Sequence, residues 1–283
     1  MYLCDITRRT LGNGRVNLYA IGDMHADRRE FDEVKFRAHI QHIAADPHSV
    51  AVFVGDALDG RIPGRKFFDA DTVRPDFLGN LKSYVNHGLE VLTDYFNPLI
   101  RAKVPLVMVS GNHDEYLEEI GLTSELVRRL GGTARYLGGE GFIRLQTGQP
   151  NKTKGLYTTV IYATHGTGGG KTPGPKVNAM QRYYEWVQAD VVMAGHVHDG
   201  DIRIIPSYSV QRSGVLQLET TPRVMYRAPS YVRRSIAGVV GYQGKKGYPA
   251  SDEGVMYVSL NPQHKTATRV ELEFDQHGNL LAA

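Results

Sequence analysis

The sequence predicts an α/β fold, in which short buried strands alternate with amphipathic helices. Several short runs rich in valine, isoleucine and tyrosine end in polar clusters that contain glycine, which is typical of buried strands. Stretches with apolar residues at helical spacing lie between these runs. The alternation favours the α/β class, whose ligands gather at the carboxyl ends of the strands.

The elements can be placed in order along the chain. We predict strands over residues 16–21, 50–54, 106–109, 156–163 and 191–194. We predict helices over 27–45, 75–102, 123–130 and 176–188, with Asp27 as a candidate N-cap of the first. Further strands are indicated over 133–147, 202–205, 214–219, 255–260 and 267–274, the last two as a hairpin. Residues 1–283 are interpreted as a single domain in which the strand-rich part, 200–283, completes a second sheet and the rim.

Composition narrows the functional classes. The chain has 283 residues, of which 41% are hydrophobic and 22% charged, close to ordinary globular usage. Its net charge of +3 suits an anionic substrate without requiring nucleic acid. A lone cysteine, Cys4, excludes an intrachain disulfide and fits a reducing compartment. Since we find neither a signal-peptide pattern nor an apolar run of about 18 residues, we expect a cytoplasmic protein without membrane association.

Polar clusters follow the five strands from 16–21 to 191–194. In chain order they are D-x-H (Asp23, His25), G-D (Asp56), G-N-H-D (Asn112, His113, Asp114), H-G (His165) and G-H-x-H (His196, His198). Side chains at i and i+2 of an extended segment point the same way, so each D-x-H or H-x-H pair can face a common region. Carboxylate, imidazole and amide donors without cysteine suit Mn²⁺, Fe, Ni²⁺ or Zn²⁺. Asp56 stands alone on its strand and is the natural bridge between two cations about 3.5–4 Å apart.

This ordered set of clusters resembles the calcineurin-like metallophosphoesterase superfamily over residues 22–198. The resemblance implies a four-layer α/β/β/α sandwich of two mixed β-sheets flanked by helices. It implies one metal held by Asp23, His25, Asp56 and His198, and a second held by Asp56, Asn112, His165 and His196. It further implies that His113, oriented by Asp114, protonates the leaving oxygen or binds the phosphate while a metal-bridging hydroxide attacks phosphorus.

The resemblance makes a dinuclear phosphoesterase, most readily with Mn²⁺, the leading interpretation. We lean toward phosphodiesters, nucleotide or nucleic acid, because arginine, lysine and tyrosine interleave over residues 200–250. These residues are Arg203, Tyr208, Arg212, Arg223, Tyr226, Arg227, Tyr231, Arg233, Arg234, Tyr242, Lys245, Lys246 and Tyr248. A solvated basic face with core tyrosines explains the same segment equally well. Nearer the crevice, Lys171 and Lys176 could meet substrate phosphates, and Arg61, Arg65 and Lys66 could add positive charge at the crevice mouth.

Two other functions stay open. A phosphomonoesterase, including a protein phosphatase, is the first, although that branch typically shows GNHE where this chain has GNHD. A non-catalytic scaffold is the second, although no expected ligand position is missing. Each histidine taken alone is most simply structural, and Asp59 of GDALDG is most simply a turn residue. We expect His39, His42 and His48 to be solvated and His87, His264 and His277 to bind no metal.

Overall fold

The computed structural model describes residues 2–8, 15–60, 68–114, 121–148, 156–168, 170, 172–210, 218–236, 239–240, 244 and 255–282. The helices within this part of the chain are α1 (Glu33–Ala45), α2 (Leu81–Arg101), α3 (Leu122–Leu130) and α4 (Pro173–Trp186). The strands are β1 (Tyr2–Arg8), β2 (Val16–Ile21), β3 (Ser49–Phe53), β4 (Leu106–Met108), β5 (Ala134–Tyr136), β6 (Glu140–Gly148), β7 (Leu156–Thr164), β8 (Val191–Ala194), β9 (Asp201–Val210), β10 (Leu218–Arg227), β11 (Ser235–Ile236), β12 (Val239–Val240), β13 (Val255–Asn261), β14 (Thr266–Phe274) and β15 (Leu280–Ala282).

The strands form two large mixed sheets and one small ribbon. The seven-stranded sheet has the order β15-β14-β13-β2-β3-β4-β5, the six-stranded sheet β1-β6-β7-β8-β10-β9, and β11 pairs with β12. Strands β2 to β5 run parallel to one another, and β7, β8 and β10 are parallel in the other sheet. The carboxyl ends of β2, β3 and β4 therefore share one edge, and those of β7 and β8 share another.

Alternating side chains divide the molecule into layers. On β3, Val50 and Val52 join the core between the two sheets, while Ala51 and Phe53 join the core beneath α1, α2 and α3. On β8, Val192 and Ala194 instead belong to a third core, which contains Met180 of α4. The chain thus forms helices, sheet, sheet, helix, which confirms the predicted four-layer sandwich.

The late strands are divided between the two sheets, which differs from the expectation that 200–283 completes the second sheet. Strands β9 and β10 join the six-stranded sheet with β6, which overlaps the predicted 133–147 segment. The hairpin of β13 and β14 forms as predicted, but it extends the sheet of β2. Val258 lies opposite Leu18 there, and both side chains are buried in the core between the sheets.

Two helices start later than predicted. Helix α1 starts at Glu33, because the Asp32 carboxylate accepts a hydrogen bond from the Lys35 amide and caps it. The side chain of Asp27, our candidate N-cap, is buried and instead accepts a hydrogen bond from the Asp59 amide. Helix α2 starts at Leu81 with Asn80 as its N-cap, while the Pro75–Phe77 stretch forms a separate 3₁₀ turn.

His39 on helix α1 is not solvated, as we had expected it to be. This side chain is fully buried, and its Nδ1 lies 2.6 Å from the Tyr231 hydroxyl oxygen. Helix α1 packs on the seven-stranded sheet, so the face that carries His39 with Phe36, Ile40 and Ile43 is turned inward. Across the described helices, no segment combines the length and the apolar composition that a membrane crossing needs.

Candidate metal centre

Five of the predicted ligands adopt an uncommon backbone conformation. Asp23, His25, Asp56, His196 and His198 have φ between 45° and 72°, and they account for five of the seven described non-glycine residues with positive φ. A left-handed conformation at a non-glycine residue costs on the order of 1 kcal/mol. Such strain persists only where the surroundings hold the residue in place. Its concentration at the ends of three strands makes this edge of the sandwich the candidate functional site.

A first group of donors gathers beyond the ends of β2, β3 and β8. Nε2 of His25 lies 3.4 Å from Nε2 of His198, and the Oδ1 atom of Asp23 lies 3.4 Å from the same His198 nitrogen. The Oδ2 atom of Asp56 lies 3.7 Å from Nε2 of His25. These are the four residues predicted to hold the first metal.

A second group gathers beyond β3, β4, β7 and β8. The Asn112 Oδ1 atom lies 2.9 Å from Nε2 of His165 and 2.8 Å from Nδ1 of His196. The two histidine nitrogens are 3.3 Å apart. Oδ2 of Asp56 lies 3.2 Å from Nε2 of His165. The structure therefore brings all seven predicted ligands together, with one Asp56 oxygen within reach of both groups.

The donor spacing fits divalent cations. Ligand bonds of about 2.1 Å at angles of 90–109° separate the ligand atoms by about 3.0–3.4 Å. The separations in the two groups run from 2.8 to 3.7 Å. The Nε2 atoms of His25 and His198 face each other, an arrangement in which two neutral imidazoles can both direct a lone pair at one cation.

Outer hydrogen bonds fix the ring orientation of two of these histidines. Nδ1 of His165 donates to the carbonyl oxygen of Val54 at 2.7 Å, which leaves Nε2 for the centre. Nδ1 of His198 lies 3.1 Å from Oγ of Ser230, whose hydroxyl donates to the Asp23 carbonyl oxygen at 3.0 Å. Sequence reasoning missed Ser230 because it follows β10, about 30 residues beyond the last cluster, and only the sheet order brings it here.

Burial and mutual charge shift the titration of the cluster. Burial raises the pKa of Asp23 to about 6. Burial would also raise the pKa of Asp56, but the charge of His165 and its hydrogen bond hold it below its ordinary value. Burial opposes protonation of His165, yet the charge of Asp56 raises its pKa to about 10. Burial, followed by the charge of His25, holds the pKa of His198 well below its usual value. Strong perturbation of neighbouring groups is typical of functional sites.

His113 stands beside the cluster and is held by Asp59. Its Nδ1 lies 2.9 Å from Oδ1 and 3.0 Å from the carbonyl oxygen of Asp59, and a quarter of its side chain is exposed. Burial lowers the pKa of His113, but the hydrogen bond to Asp59 and the charge of Asp56 outweigh burial and raise it to about 9. Asp59, which we interpreted as a turn residue, therefore contacts the candidate site through His113. The signal for it was its position three residues after Asp56 in GDALDG.

The structure corrects the expectation that Asp114 orients His113. The buried Asp114 carboxylate accepts hydrogen bonds from the backbone amides of Asp56 (2.8 Å), Ala57 (3.1 Å) and Gly111 (2.9 Å). Asp114 thereby ties the loop after β3 to the loop after β4, and these loops carry Asp56 and Asn112. Burial, followed by the charge of Asp56, raises its pKa to about 7.

Most of the described basic residues predicted to meet phosphate contact carboxylates or carbonyl oxygens of the chain itself. Lys176 is buried, with its Nζ 3.2 Å from the Asp199 carboxylate. Arg203 and Arg227 contact the Asp201 carboxylate, and Arg233 contacts Asp32. Arg223 donates to the carbonyl oxygens of Val187 and Ala189, Tyr226 and Tyr231 lie in the core, and Tyr208 is 67% exposed. Residues that lie outside the described part of the chain are Arg61, Arg65, Lys66, Lys171, Arg212, Tyr242, Lys245, Lys246 and Tyr248.

Glycine at position 111 is required by the close approach of Asp56. A Cβ atom on Gly111 would lie 2.1 Å from Oδ1 and 2.4 Å from the amide nitrogen of Asp56. We expect Gly111→Ala to displace the Asp56 carboxylate, and so to weaken metal binding at least about tenfold and lower the melting temperature, because overpacking costs about 1–3 kcal/mol. Metal titration followed by calorimetry and thermal melts measure both effects.

The matched control is Gly139→Ala. A Cβ there meets nothing within 4 Å, and Gly139 lies on the exposed turn before β6. Metal affinity should be unchanged in this variant. If Gly111→Ala binds metal as tightly as Gly139→Ala does, the close packing at Asp56 is not what shapes the centre.

Two packed sheets with carboxylate, imidazole and amide donors at their carboxyl edges define a class of α/β protein built around a candidate metal centre. The chain belongs to the calcineurin-like phosphoesterase family, whose model matches residues 16–200. No match was found among curated proteins. A crystal structure is similar with a TM-score of 0.43 and 12% identity, covering 91% of this chain and 99% of the other. Family membership and the Asp/His cluster together support metal-dependent hydrolysis of phosphate esters.

Proposed function

We propose that the chain hydrolyses phosphodiesters, of a nucleotide or a nucleic acid, at a centre of two divalent cations. The observation that carries the proposal is Oδ2 of Asp56, which lies within 3.7 Å of donors in both groups. A carboxylate shared by two sets of ligands is typical of two-metal sites. Mn²⁺ is the metal we expect first, with Fe, Ni²⁺ and Zn²⁺ as alternatives for this donor set.

The ligand roles follow the two groups. Asp23, His25, Asp56 and His198 would hold one cation, and Asp56, Asn112, His165 and His196 the other. Bound divalent cations lower the pKa of water and neutralise charge on the phosphate oxygens. The resident carboxylates and neutral imidazoles supply ligands without thiolate, which suits hard or borderline cations.

His113 is the residue that we assign to proton transfer. Its Nδ1 is held by Asp59, so its Nε2 is left to carry a proton toward the leaving oxygen. The raised pKa of about 9 keeps the ring protonated near neutral pH, as a general acid requires. Asp114 acts as a positioning residue, because its contacts are to the backbone of both loops.

The preference for diesters rests on the sequence of 200–250, where the exposed ring of Tyr208 on β9 supplies a surface on which a base can stack. Four arginines of that segment, Arg203, Arg223, Arg227 and Arg233, have acceptor partners, which supports the alternative of a structural basic face. Nucleic-acid binding is accordingly a proposal to be measured, by anisotropy of a labelled single-stranded oligonucleotide at two salt concentrations. The cytoplasmic compartment likewise stays a prediction.

The direct test is reconstitution of the metal-stripped chain with Mn²⁺. We expect about two ions per chain by elemental analysis and a higher kcat/KM for bis-p-nitrophenyl phosphate than for p-nitrophenyl phosphate. A preference for the monoester would replace the diesterase assignment with a phosphomonoesterase. A chain that binds no metal and turns over neither ester would be a scaffold that keeps the fold.

A further inference from the structure

We propose that Asp27, Arg28 and Tyr84 form a positioning clamp that acts on His113 through Asp59. The proposal rests on the proposed function, in which His113 delivers a proton to the leaving group. Asp27 and Arg28 follow the D-x-H cluster directly, and Tyr84 lies on α2. Neither the sequence clusters nor the donor groups described above include these three residues.

The first half of the clamp holds the backbone of the loop that carries Asp59. The Asp27 carboxylate accepts from the Asp59 amide at 2.6 Å through Oδ1 and from the Tyr84 hydroxyl at 2.7 Å through Oδ2. The Tyr84 oxygen in turn accepts from the Gly60 amide at 3.1 Å. Asp27, Asp59 and Tyr84 are each at most 4% exposed, so water does not compete for these contacts.

The second half of the clamp holds the Asp59 carboxylate itself. Nη1 of Arg28 donates to Oδ2 of Asp59 at 2.7 Å, and Nη2 of Arg28 donates to Glu30 at 3.1 Å. Oδ1 of Asp59 is thereby left for His113, at 2.9 Å from Nδ1. Each carboxylate oxygen thus has its own charged or polar partner, which fixes the plane of the carboxyl group.

Together, the two halves of the clamp prevent the Asp59 carboxylate from turning away from His113. The amide contact fixes where the Asp59 Cα lies, and the Arg28 contact fixes which oxygen faces the ring. Asp59 lies at most 3.5 Å from both His25 and His113, so a shift of the loop would move the proton donor relative to the cluster. A displacement of about 1 Å at a reacting group is enough to slow catalysis about 10²-fold.

A buried ion pair can also be purely structural, and leaving-group dependence separates the two roles. A general acid matters most when the leaving oxygen is basic, so loss of positioning should slow phenyl esters more than p-nitrophenyl esters. A structural defect should slow both equally. The pair of esters is diphenyl and bis-p-nitrophenyl phosphate, or phenyl and p-nitrophenyl phosphate if the monoester is the substrate.

The main variant is Arg28→Met, and its matched control is Arg37→Met. Arg37 also contacts two carboxylates, those of Glu33 and Asp94, but on the exposed side of α1. For Arg28→Met we expect kcat on the phenyl ester to fall about 10–100-fold, against about threefold or less on the p-nitrophenyl ester. Metal content should stay at that of the wild type. Arg28→Lys should recover part of the loss, and Arg37→Met should match the wild type on both esters.

A second readout needs no turnover. In the metal-free chain, the proton that His113 Nδ1 shares with Asp59 should give a downfield NMR resonance, identified by its absence in His113→Ala. The resonance should persist in Arg37→Met and be lost or broadened in Arg28→Met. Tyr84→Phe, which removes one hydroxyl, should weaken it as well, and this variant carries the test if Arg28→Met does not fold.

The outcomes are separable. Equal slowing of both esters in Arg28→Met, with the resonance retained, would overturn the clamp. A wild-type chain that turns over no ester would overturn the proposed function, and the resonance alone would then decide whether Arg28 and Tyr84 hold Asp59 against His113.

Discussion

Asp56→Asn is expected to remove both cations and with them all measurable turnover, a loss of about 10³-fold or more. One oxygen of the Asp56 carboxylate, Oδ2, lies beside donors of both groups, at 3.7 Å from His25 and 3.2 Å from His165. Asparagine is neutral and offers one acceptor oxygen, so it cannot bridge two cations while Oδ1 also accepts from the His113 amide. Elemental analysis after reconstitution and kcat/KM measure the two effects.

The control for this substitution is Asp94→Asn. Asp94 lies exposed on α2 and contacts Arg37, so the same carboxylate-to-amide change there should leave metal content and activity as they are. Thermal melts of both variants separate a local effect from misfolding. If Asp56→Asn keeps two ions per chain, Asp56 is not a bridge and the arrangement of the centre has to be reconsidered.

The ligand set could be predicted from sequence because its signal is local. Each ligand follows a short apolar strand within a few residues, and strands of this kind are recognisable from composition alone. Parallel strands in turn place their carboxyl ends at a common edge, so convergence of Asp23, Asp56 and Asn112 follows once β2, β3 and β4 are neighbours. That His165 and His196 face them from the other sheet was implied by the family resemblance and not by spacing.

The supporting contacts could not be predicted, because their partners are far apart in the chain. Ser230 reaches His198 only because β10 pairs with β8, and Tyr84 reaches Asp27 only because α2 covers the seven-stranded sheet. At Asp27, local and distant hydrogen-bond partners compete. Its side chain is suited to capping a helix, but its buried position offers two donors, the Asp59 amide and the Tyr84 hydroxyl. Asp32 caps α1 in its place.

His113→Ala is expected to leave metal binding intact and to lower kcat about 10²–10⁴-fold, the range typical of a lost general acid. Metal binding should survive because the link between His113 and Asp56 is made by the His113 backbone amide, at 2.9 Å from Oδ1, and alanine retains that amide. The ring itself contacts Asp59. Single-turnover kinetics with elemental analysis of the same sample provide the measurement.

The pH profile tests the same residue with a defined sign. Because the protonated ring is the active form, activity should fall as pH rises through the pKa of His113, which stands at about 9 in the chain without metal. Bound cations add positive charge and lower that pKa, so the alkaline limb of the wild type should lie at or below this value. His113→Ala should lose the limb while keeping two ions per chain. Equal loss of metal in His113→Ala and Asp56→Asn would show instead that His113 is a ligand.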